Sequence, residues 1–83
     1  MKLEIRYFAS LRETLGLSSE TIETQALDVA ALRSELIARG GTYAEVLAAG
    51  RAVRVAVNQV MAQDSTVLMD HCEVGFFPPV TGG

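Results

Sequence analysis

The residues best placed to do chemistry end the chain, where Thr81 is followed by Gly82 and Gly83. Glycine has no Cβ, so a Gly-Gly backbone can pass through a narrow channel or lie against a ligand. The carboxylate of Gly83 then becomes the reactive group on a thin thread of backbone. We predict that the Gly83 carboxylate is the reactive group of this segment and that Gly82 keeps the thread narrow enough to enter another protein.

Two prolines stand at the start of this thread. Pro78 and Pro79 follow an apolar run, and proline cannot donate to a strand ladder, so we expect the last strand to end there. At about 3.1–3.4 Å per residue, the stretch from 78 to 83 reaches about 20 Å. We therefore divide the chain into a domain of residues 1–77 and an extended tail of residues 78–83. The tail residues expected to contact a partner protein are Pro78, Pro79, Val80 and Thr81.

The adjacent residues His71 and Cys72 are the other side chains whose types suit catalysis. Neighbours in a strand point to opposite faces of the sheet, so these two side chains would diverge, and no third group is seen to orient them. We interpret both as part of a solvent-exposed turn without a catalytic role. One cysteine and one histidine cannot build a zinc site by themselves, so we expect no metal.

Three large apolar side chains occupy positions at which strand alternation calls for polar residues. By strand alternation, Phe8 falls on the same face as the charged residues of the first strand. Phe77 falls on the same face as Glu73, and Met61 on the same face as two glutamines. Twisted strand ends could bury such side chains, and single exposed apolar residues are common. Grouped together, they would form an interface patch beside the tail, where methionine and aromatic residues are favoured. We predict that Phe8, Met61 and Phe77 form a partner-binding patch.

The elements that position these residues begin with an alternating segment. Residues 2–8 alternate charged and apolar side chains, which predicts a half-buried strand. Ser10 and Glu13 have the spacing of a capping box, which predicts a short helix that ends at Gly16. Residues 19–24 are rich in threonine and β-branched positions and predict a second strand, the return arm of a hairpin.

A longer helix follows Asp28, a favourable N-cap residue. Its apolar stripe consists of Val29, Leu32, Leu36 and Ile37. A Gly-Gly pair after this stripe ends the helix. Thr42 and Glu45 repeat the capping-box spacing, which predicts another short helix that runs to about Ala49.

Three strands complete the pattern. Residues 53–57 alternate valine with other side chains, and Asn58-Gln59 suits a turn into a short strand at 60–62. The last strand covers residues 73–77 and leads into the two prolines.

This order of elements favours an α+β fold in which one main helix covers a mixed sheet of four to five strands. The β-grasp (ubiquitin-like) arrangement has this order, and here it would carry a flexible C-terminal Gly-Gly tail. A ferredoxin-like fold would need a second long helix within residues 58–72, and that stretch does not offer one.

The charge balance narrows the classes of partner. Ten acidic and seven basic residues give a net charge of −3, and no lysine or arginine follows Arg54. The basic surface of a nucleic-acid-binding protein is therefore missing, as is the basic stripe of a membrane-surface helix. Arg51 and Arg54 could bind an anion, but arginines that flank a strand are usually solvated.

Size and hydropathy favour a carrier or subunit over an enzyme with its own deep active site, since the chain has 83 residues. No apolar run reaches the roughly 18 residues of a membrane span, and the alternating N-terminus is unlike a signal peptide. A single cysteine excludes an internal disulfide. We expect a cytoplasmic protein that binds neither nucleic acid nor membrane.

Three segments carry a family resemblance. They are residues 6–13 (Arg-Tyr-Phe-Ala-Ser-Leu-Arg-Glu), residues 55–59 (Val-Ala-Val-Asn-Gln) and residues 73–83, which end in Phe-Phe-Pro-Pro-Val-Thr-Gly-Gly. In these segments, in the order in which they occur and in total length, the chain resembles the small subunits of molybdopterin synthase, a family of ubiquitin-like sulfur carriers. That family usually has Asp-Gly-Asp before the last strand, whereas this chain has Asp70-His71-Cys72. Histidine tolerates a left-handed turn better than most residues, so we expect the fold to persist with some strain at this turn.

The resemblance implies a protein cosubstrate without catalytic machinery of its own. An ATP-using, ubiquitin-activating-like adenylyltransferase would adenylate the Gly83 carboxylate, and a sulfur donor protein would convert it to a thiocarboxylate. No cofactor would stay bound to the chain. The large synthase subunit would take in the tail, in a heterotetramer of two small and two large subunits. Two such sulfurs would convert cyclic pyranopterin monophosphate into the molybdopterin dithiolene.

Three alternatives stay open at this point. A sulfur carrier for thiamine, cysteine or thiolated tRNA synthesis would share the fold and the Gly-Gly end, although the Phe-Phe-Pro-Pro-Val stretch favours molybdopterin. A ubiquitin-like modifier would instead be conjugated to lysines of other proteins. A plain binding module would have an inert tail.

Overall fold

The computed structural model describes residues 1–78, and the tail predictions for Pro79 to Gly83 lie outside the described residues. Within them, eight elements follow one another in an order that matches the sequence prediction. The elements are β1 (Lys2–Tyr7), α1 (Ala9–Leu15), β2 (Ser19–Glu23), α2 (Val29–Ile37), α3 (Gly41–Leu47), β3 (Arg54–Val57), β4 (Val60–Met61) and β5 (Glu73–Phe77). Among these residues, no helix is long and apolar enough to cross a membrane.

The five strands form one mixed sheet in the order β2-β1-β5-β3-β4. β1 runs parallel to β5, and the other neighbouring pairs are antiparallel. This confirms the predicted α+β architecture with a mixed sheet. The parallel central pair also brings the ends of β1 and β5 side by side, since Tyr7 is the register partner of Phe76.

The core lies between one face of this sheet and α2. Alternate residues of β1 are buried, as the parity of the sequence predicts, and so are most of the apolar stripe of α2. The largest fully buried side chains are Tyr7, Phe76, Leu3, Ile5, Leu32, Leu36, Leu47, Val29 and Val74. Each such side chain stabilises the fold by about 1.5–3 kcal/mol relative to exposure, so this shared core fixes the helix over the sheet.

The N-cap prediction for α2 is confirmed, because an Asp28 carboxylate oxygen accepts a hydrogen bond of 2.8 Å from the Ala31 backbone N–H. The two capping-box predictions are wrong. α1 begins at Ala9, one residue before the expected cap Ser10, and no side chain caps it. The chain enters α1 directly from β1, since the Phe8 N–H donates to Phe76 O at 3.1 Å and the Phe8 carbonyl accepts from Leu11.

The start of α3 is likewise set by the backbone and not by Thr42. The N-cap of α3 is Gly40, which has φ 76° and makes no side-chain cap hydrogen bond. A residue with positive φ reverses the chain after α2, a conformation that glycine adopts at little cost. The helix therefore begins at Gly41, one residue before the expected cap Thr42, and ends at Leu47.

The predicted turn between β3 and β4 is confirmed. Asn58 and Gln59 both have positive φ, 50° and 69°, and Val57 is the register partner of Val60. Two left-handed central residues give the turn whose twist matches antiparallel strands. The Asn58 side-chain oxygen also accepts from the Glu73 N–H at 2.9 Å, which ties the turn to β5.

The assignment of both His71 and Cys72 to an exposed turn is only half right. His71 is exposed and left-handed, with φ 65°, as predicted for this turn. Cys72 is buried, with 4% of its surface exposed, so its predicted exposure is wrong. The Cys72 carbonyl already accepts from the Glu4 N–H at 3.0 Å, and its side chain shares the core-facing parity of Val74.

Candidate functional site

Phe8 and Phe77 form a stacked pair on the sheet face opposite α2. Their ring centroids are 4.4 Å apart and the ring planes differ by 3°. Phe8 follows Tyr7 and Phe77 follows Phe76 along the chain. Since Tyr7 and Phe76 are register partners in the parallel pair β1–β5, the next residues of the two strands also lie side by side. Both outer rings are half-buried, so their contact covers part of each ring and leaves the remainder open to another surface.

Gly75 lies beneath this aromatic pair. A Cβ at this position would come within 3.0 Å of Phe8 Cε2 and 3.4 Å of Phe77 Cε2. The first distance is shorter than ordinary van der Waals contact, so the missing side chain lets the rings lie close to the strand. The sequence analysis did not assign a role to Gly75, although its parity with Phe77 on β5 was the available signal.

Met61 completes the predicted set. It lies on β4, where Ala56 of β3 is its register partner, and 58% of its surface is exposed. Phe8, Met61 and Phe77 line one cavity of about 430 Å³, and we call these three residues the docking patch. The full lining is Arg6, Phe8, Ala56, Gln59, Met61, Glu73, Gly75 and Phe77.

The polar side of this cavity carries one close ion pair. Arg6 Nε lies 2.9 Å from Glu73 Oε1, and a second contact from Arg6 to Glu4 is 4.0 Å long. Such exposed pairs contribute about 0–1 kcal/mol to stability, so they orient side chains more than they stabilise the domain. The cavity can bind an apolar surface, and its lining has no hydroxyl, thiol or amine nucleophile.

Pro78 is the first residue of the predicted tail, and we call its position the tail root. It directly follows Phe77 of the docking patch, and it is half-buried. Pro78 also lines a second cavity of about 380 Å³ together with Ser10, Leu11, Thr14, Val46, Arg51, Ala52 and Val53. The predicted contact residues Pro79, Val80 and Thr81, and the predicted acceptor pair Gly82 and Gly83, lie outside the described residues. The docking patch thus adjoins Pro78, the first residue of the predicted tail.

Comparison with known proteins assigns the chain to a family. The family model described as ThiS family matches residues 5–83. The chain belongs to the ThiS family. The molybdopterin synthase sulfur carrier subunit of Escherichia coli is 36% identical over 81 residues, which cover 98% of this chain and 99% of that relative.

Solved structures agree on the fold. The putative molybdopterin converting factor, subunit 1, from Pyrococcus furiosus is 30% identical with a TM-score of 0.78, over 96% of this chain and 99% of that chain. A chain in the protein–protein complex of subunits 1 and 2 of the molybdopterin-converting factor from Helicobacter pylori 26695 is 27% identical, with a TM-score of 0.69 and 100% coverage of both chains. The family resemblance and the β-grasp fold predicted from the sequence are confirmed.

A polar network occupies the core side of the same sheet, and the sequence analysis did not find it. Tyr7 and Tyr43 both donate their hydroxyl hydrogens to Glu20 Oε2, at 2.9 and 2.8 Å. Arg39 Nη1 donates to Glu20 Oε1 at 2.9 Å, and its guanidinium lies 4.9 Å from the centre of the Tyr43 ring. The available signal was Glu20 itself, since it shares the buried parity of Ile22 on β2.

This network shifts the ionisation of its members. Partial burial would raise the pKa of Glu20, but the hydrogen bonds from Arg39, Tyr43 and Tyr7 outweigh it and hold that pKa below its usual value. Burial raises the pKa of the Tyr7 hydroxyl, and the hydrogen bond to the Glu20 carboxylate raises it further. Both tyrosines therefore stay neutral donors and Glu20 stays an ionised acceptor at neutral pH, which suits a structural clamp.

The remaining candidates for chemistry lie far from the tail root. His71 Nε2 is 3.4 Å from Asp70 Oδ2, and both side chains are exposed. They adjoin the start of β1, since Asp70 accepts from the Lys2 N–H at 2.8 Å, whereas the docking patch adjoins its end. Among the described residues, no group of three His, Cys, Asp or Glu side chains could hold a metal ion.

Proposed function

We propose that this protein is the sulfur-carrier small subunit of molybdopterin synthase, and that Gly83 carries the sulfur as a thiocarboxylate. The observation that carries the proposal is the match over 98% of the chain to a relative of that name at 36% identity. The geometry supports it, because an apolar docking patch lies beside the residue from which the Gly-Gly tail departs.

The loading chemistry follows from the carboxylate. A carboxylate is a poor electrophile, so an ATP-using adenylyltransferase first joins the Gly83 carboxylate to AMP and releases pyrophosphate. A sulfur nucleophile on the donor protein then attacks the acyl carbon and displaces AMP. That sulfur is the outer sulfur of a donor persulfide, so the product is an acyl disulfide. A thiol then attacks the sulfur that stays on the donor, forms a new disulfide there and releases Gly83 as the thiocarboxylate. ATP is a substrate of the activating enzyme here, and we assign no bound cofactor to this chain.

The delivery step uses the thiocarboxylate as a sulfur nucleophile toward cyclic pyranopterin monophosphate. In each of two transfers the sulfur bonds to the precursor while still joined to the Gly83 acyl carbon. Water then hydrolyses this thioester, which leaves one sulfur of the dithiolene on the product and regenerates the Gly83 carboxylate. The lining of the docking patch offers apolar side chains and one ion pair, so we assign the acids, bases and anion-binding groups of this step to the large subunit.

The partner surface of this chain is the docking patch together with the tail. Stacked aromatic rings and an exposed methionine are side chains that protein interfaces favour. The solved complex of subunits 1 and 2 from Helicobacter pylori supports a large subunit as the partner. We propose that Phe8, Met61 and Phe77 pack on that subunit while Pro78 to Gly83 enter it, in an assembly of two small and two large subunits.

Intact-mass spectrometry tests the proposal. After incubation with the activating enzyme, ATP and a sulfur donor, the chain gains the mass of one oxygen-to-sulfur exchange. It loses that mass on incubation with the large subunit and cyclic pyranopterin monophosphate. Deletion of Gly83, or one added residue after it, abolishes loading, and Gly82→Val impairs loading more than Thr81→Ser because a side chain obstructs threading.

Two outcomes would overturn this function. A loaded chain that yields its sulfur to a thiazole-forming enzyme, and never to the large subunit, would indicate a carrier for thiamine synthesis. Gly83 found in amide linkage to lysines of other proteins, without any thiocarboxylate, would indicate a protein modifier.

A further inference from the structure

Two arginines flank the root of the tail on different sides. Arg54 is the register partner of Phe77 in the pair β3–β5, so it borders the docking patch. Arg51 lines the second cavity together with Pro78. Both side chains are exposed, and we call Arg51 and Arg54 the arginine rim.

The arginine rim differs from the other arginines that the structure places near acids. Arg6 has Glu73 at 2.9 Å and Arg39 has Glu20 at 2.9 Å, whereas neither rim arginine has an acidic oxygen within 4.0 Å in residues 1–78. Asp64 shares a cavity with Arg54 without forming an ion pair. In a chain of net charge −3, the tail root therefore carries two positive charges that form no ion pair with an acid of residues 1–78.

The segment that carries Arg51 is held in place by a third arginine. Arg33 of α2 donates from Nε to the Leu47 carbonyl at 2.7 Å, and from Nη2 to the carbonyls of Ala48 and Arg51 at 2.6 and 2.8 Å. Hydrogen bonds from a charged donor are stronger than neutral ones. The backbone beneath the Arg51 side chain is therefore set before any partner arrives, and Arg33 adds its own charge to this region.

We propose that the arginine rim pairs with carboxylates around the opening through which the large subunit takes in the tail. This inference rests on the proposed function and names the chemistry of the partner surface. The rim is continuous with the docking patch through the pairing of Arg54 with Phe77, so one partner surface can contact both. Charge complementarity then requires acidic groups on the partner where the tail enters.

Charges at the edge of an interface act mainly on the rate of association. They attract the partner over distances comparable to the Debye length, about 10 Å at 0.1 M salt, and they are screened as salt rises. Dissociation depends more on the packed centre of the interface, here the docking patch. The rim thus accelerates capture of the tail, and the docking patch determines how long the complex lasts.

Stopped-flow association with the large subunit, at a series of salt concentrations, tests the rim. Arg51→Gln and Arg54→Gln each lower the association rate at low salt, and the double variant lowers it about 3- to 10-fold. The double variant also has a flatter dependence on salt, while its dissociation rate stays within about twofold of wild type. Lys2→Gln is the matched control, because it removes the same charge at the start of β1, the opposite end of the strand from Phe8.

The controls separate this inference from the function on which it rests. The proposed role of the arginine rim would be overturned if the double variant kept the wild-type salt dependence of the association rate. It would also be overturned if Lys2→Gln lowered that rate equally. Sulfur transfer by the wild-type chain at saturating large subunit is measured in parallel. A wild-type chain that transfers no sulfur under those conditions would contradict the proposed function, whereas normal transfer with an unchanged salt dependence would contradict the rim alone.

Discussion

Two aromatic pairs stand back to back on the central strands, and they differ in exposure. Tyr7 and Phe76 stack on the core side with ring centroids 6.0 Å apart, and each is at most 1% exposed. Phe8 and Phe77, the next residues along the same strands, stack at 4.4 Å on the other side and remain half-exposed. Because strand residues alternate between faces, one step along the chain separates a ring that holds the fold from a ring that can hold a partner.

The two pairs also differ in whether the polar groups around them have hydrogen-bond partners within the domain. Beside the inner pair, the Glu20 carboxylate accepts from Tyr7, Tyr43 and Arg39, so the polar atoms there already have partners. Beside the outer pair, the cavity is lined by apolar side chains, the amide of Gln59 and the ion pair between Arg6 and Glu73. A completed network favours a structural role, and an apolar cavity next to the tail root favours docking.

The largest effect is expected from the inner pair. Phe76→Ala removes a ring that is fully buried, so it lowers the free energy of unfolding by about 3–5 kcal/mol through lost burial and the cavity that remains. Urea unfolding followed by circular dichroism measures this loss. Phe76→Leu is the control for volume and loses less than the alanine variant. A Phe76→Ala variant as stable as wild type would contradict the assignment of this ring to the core.

The outer pair is expected to show the reverse behaviour. Phe8→Asp leaves the domain folded, because the ring is half-exposed, but it places an unpaired charge in the interface. Association with the large subunit weakens by about 3–5 kcal/mol, the cost of a buried charge without a partner. Circular dichroism and titration calorimetry on the same sample measure both properties. Unfolding of Phe8→Asp would show that the ring belongs to the core, and Phe8→Leu should retain most of the affinity.

The Glu20 network sharpens the comparison through pH. The pKa of the Glu20 carboxyl group is lower in the folded state than in the unfolded state, where it is about 4.3. The ionised carboxylate therefore contributes fully to stability above the unfolded-state pKa, and this contribution is lost as pH falls through the folded-state pKa. Glu20→Gln lowers the free energy of unfolding by about 1–3 kcal/mol at pH 7, because it replaces a charged acceptor. The variant loses less stability than wild type between pH 7 and pH 3. Equal acid sensitivity in thermal unfolding would contradict this role.

Met61 is expected to give the smallest effect. It is 58% exposed, so Met61→Ala leaves the free energy of unfolding unchanged and weakens association with the large subunit by about 0.5–1 kcal/mol. Met61→Leu keeps most of the apolar area and should bind nearly as well as wild type. A Met61→Ala variant that is less stable but binds the large subunit as tightly as wild type would contradict the assignment of Met61 to the docking patch.

The parity of the strands made the sheet and the outward placement of Phe8 and Phe77 predictable. Leu3, Ile5 and Tyr7 repeat every second residue, so the buried face of β1 can be read directly, and Phe8 then falls on the outer face. Asp28 was equally informative, because an N-cap side chain acts on its own neighbours and needs no tertiary context. The order of strands and helices carried the remaining information about the fold.

Features that depend on distant segments were not predictable in the same way. Glu20 meets Tyr43 and Arg39 only because α2 and α3 pack over the hairpin, and no local pattern records that meeting. The capping-box spacings at Ser10 and Thr42 occurred where the backbone itself sets the helix start. The burial of Cys72 follows from its pairing with β1, which a turn prediction does not contain.

One measurement on Phe77→Ala tests the central claim that the outer aromatic pair serves docking. The free energy of unfolding and the free energy of association with the large subunit are determined on the same preparation. Our account predicts that association loses more than stability, with a loss of about 2 kcal/mol or more for an aromatic anchor at an interface. A variant that loses stability but binds the large subunit as tightly as wild type would contradict the account.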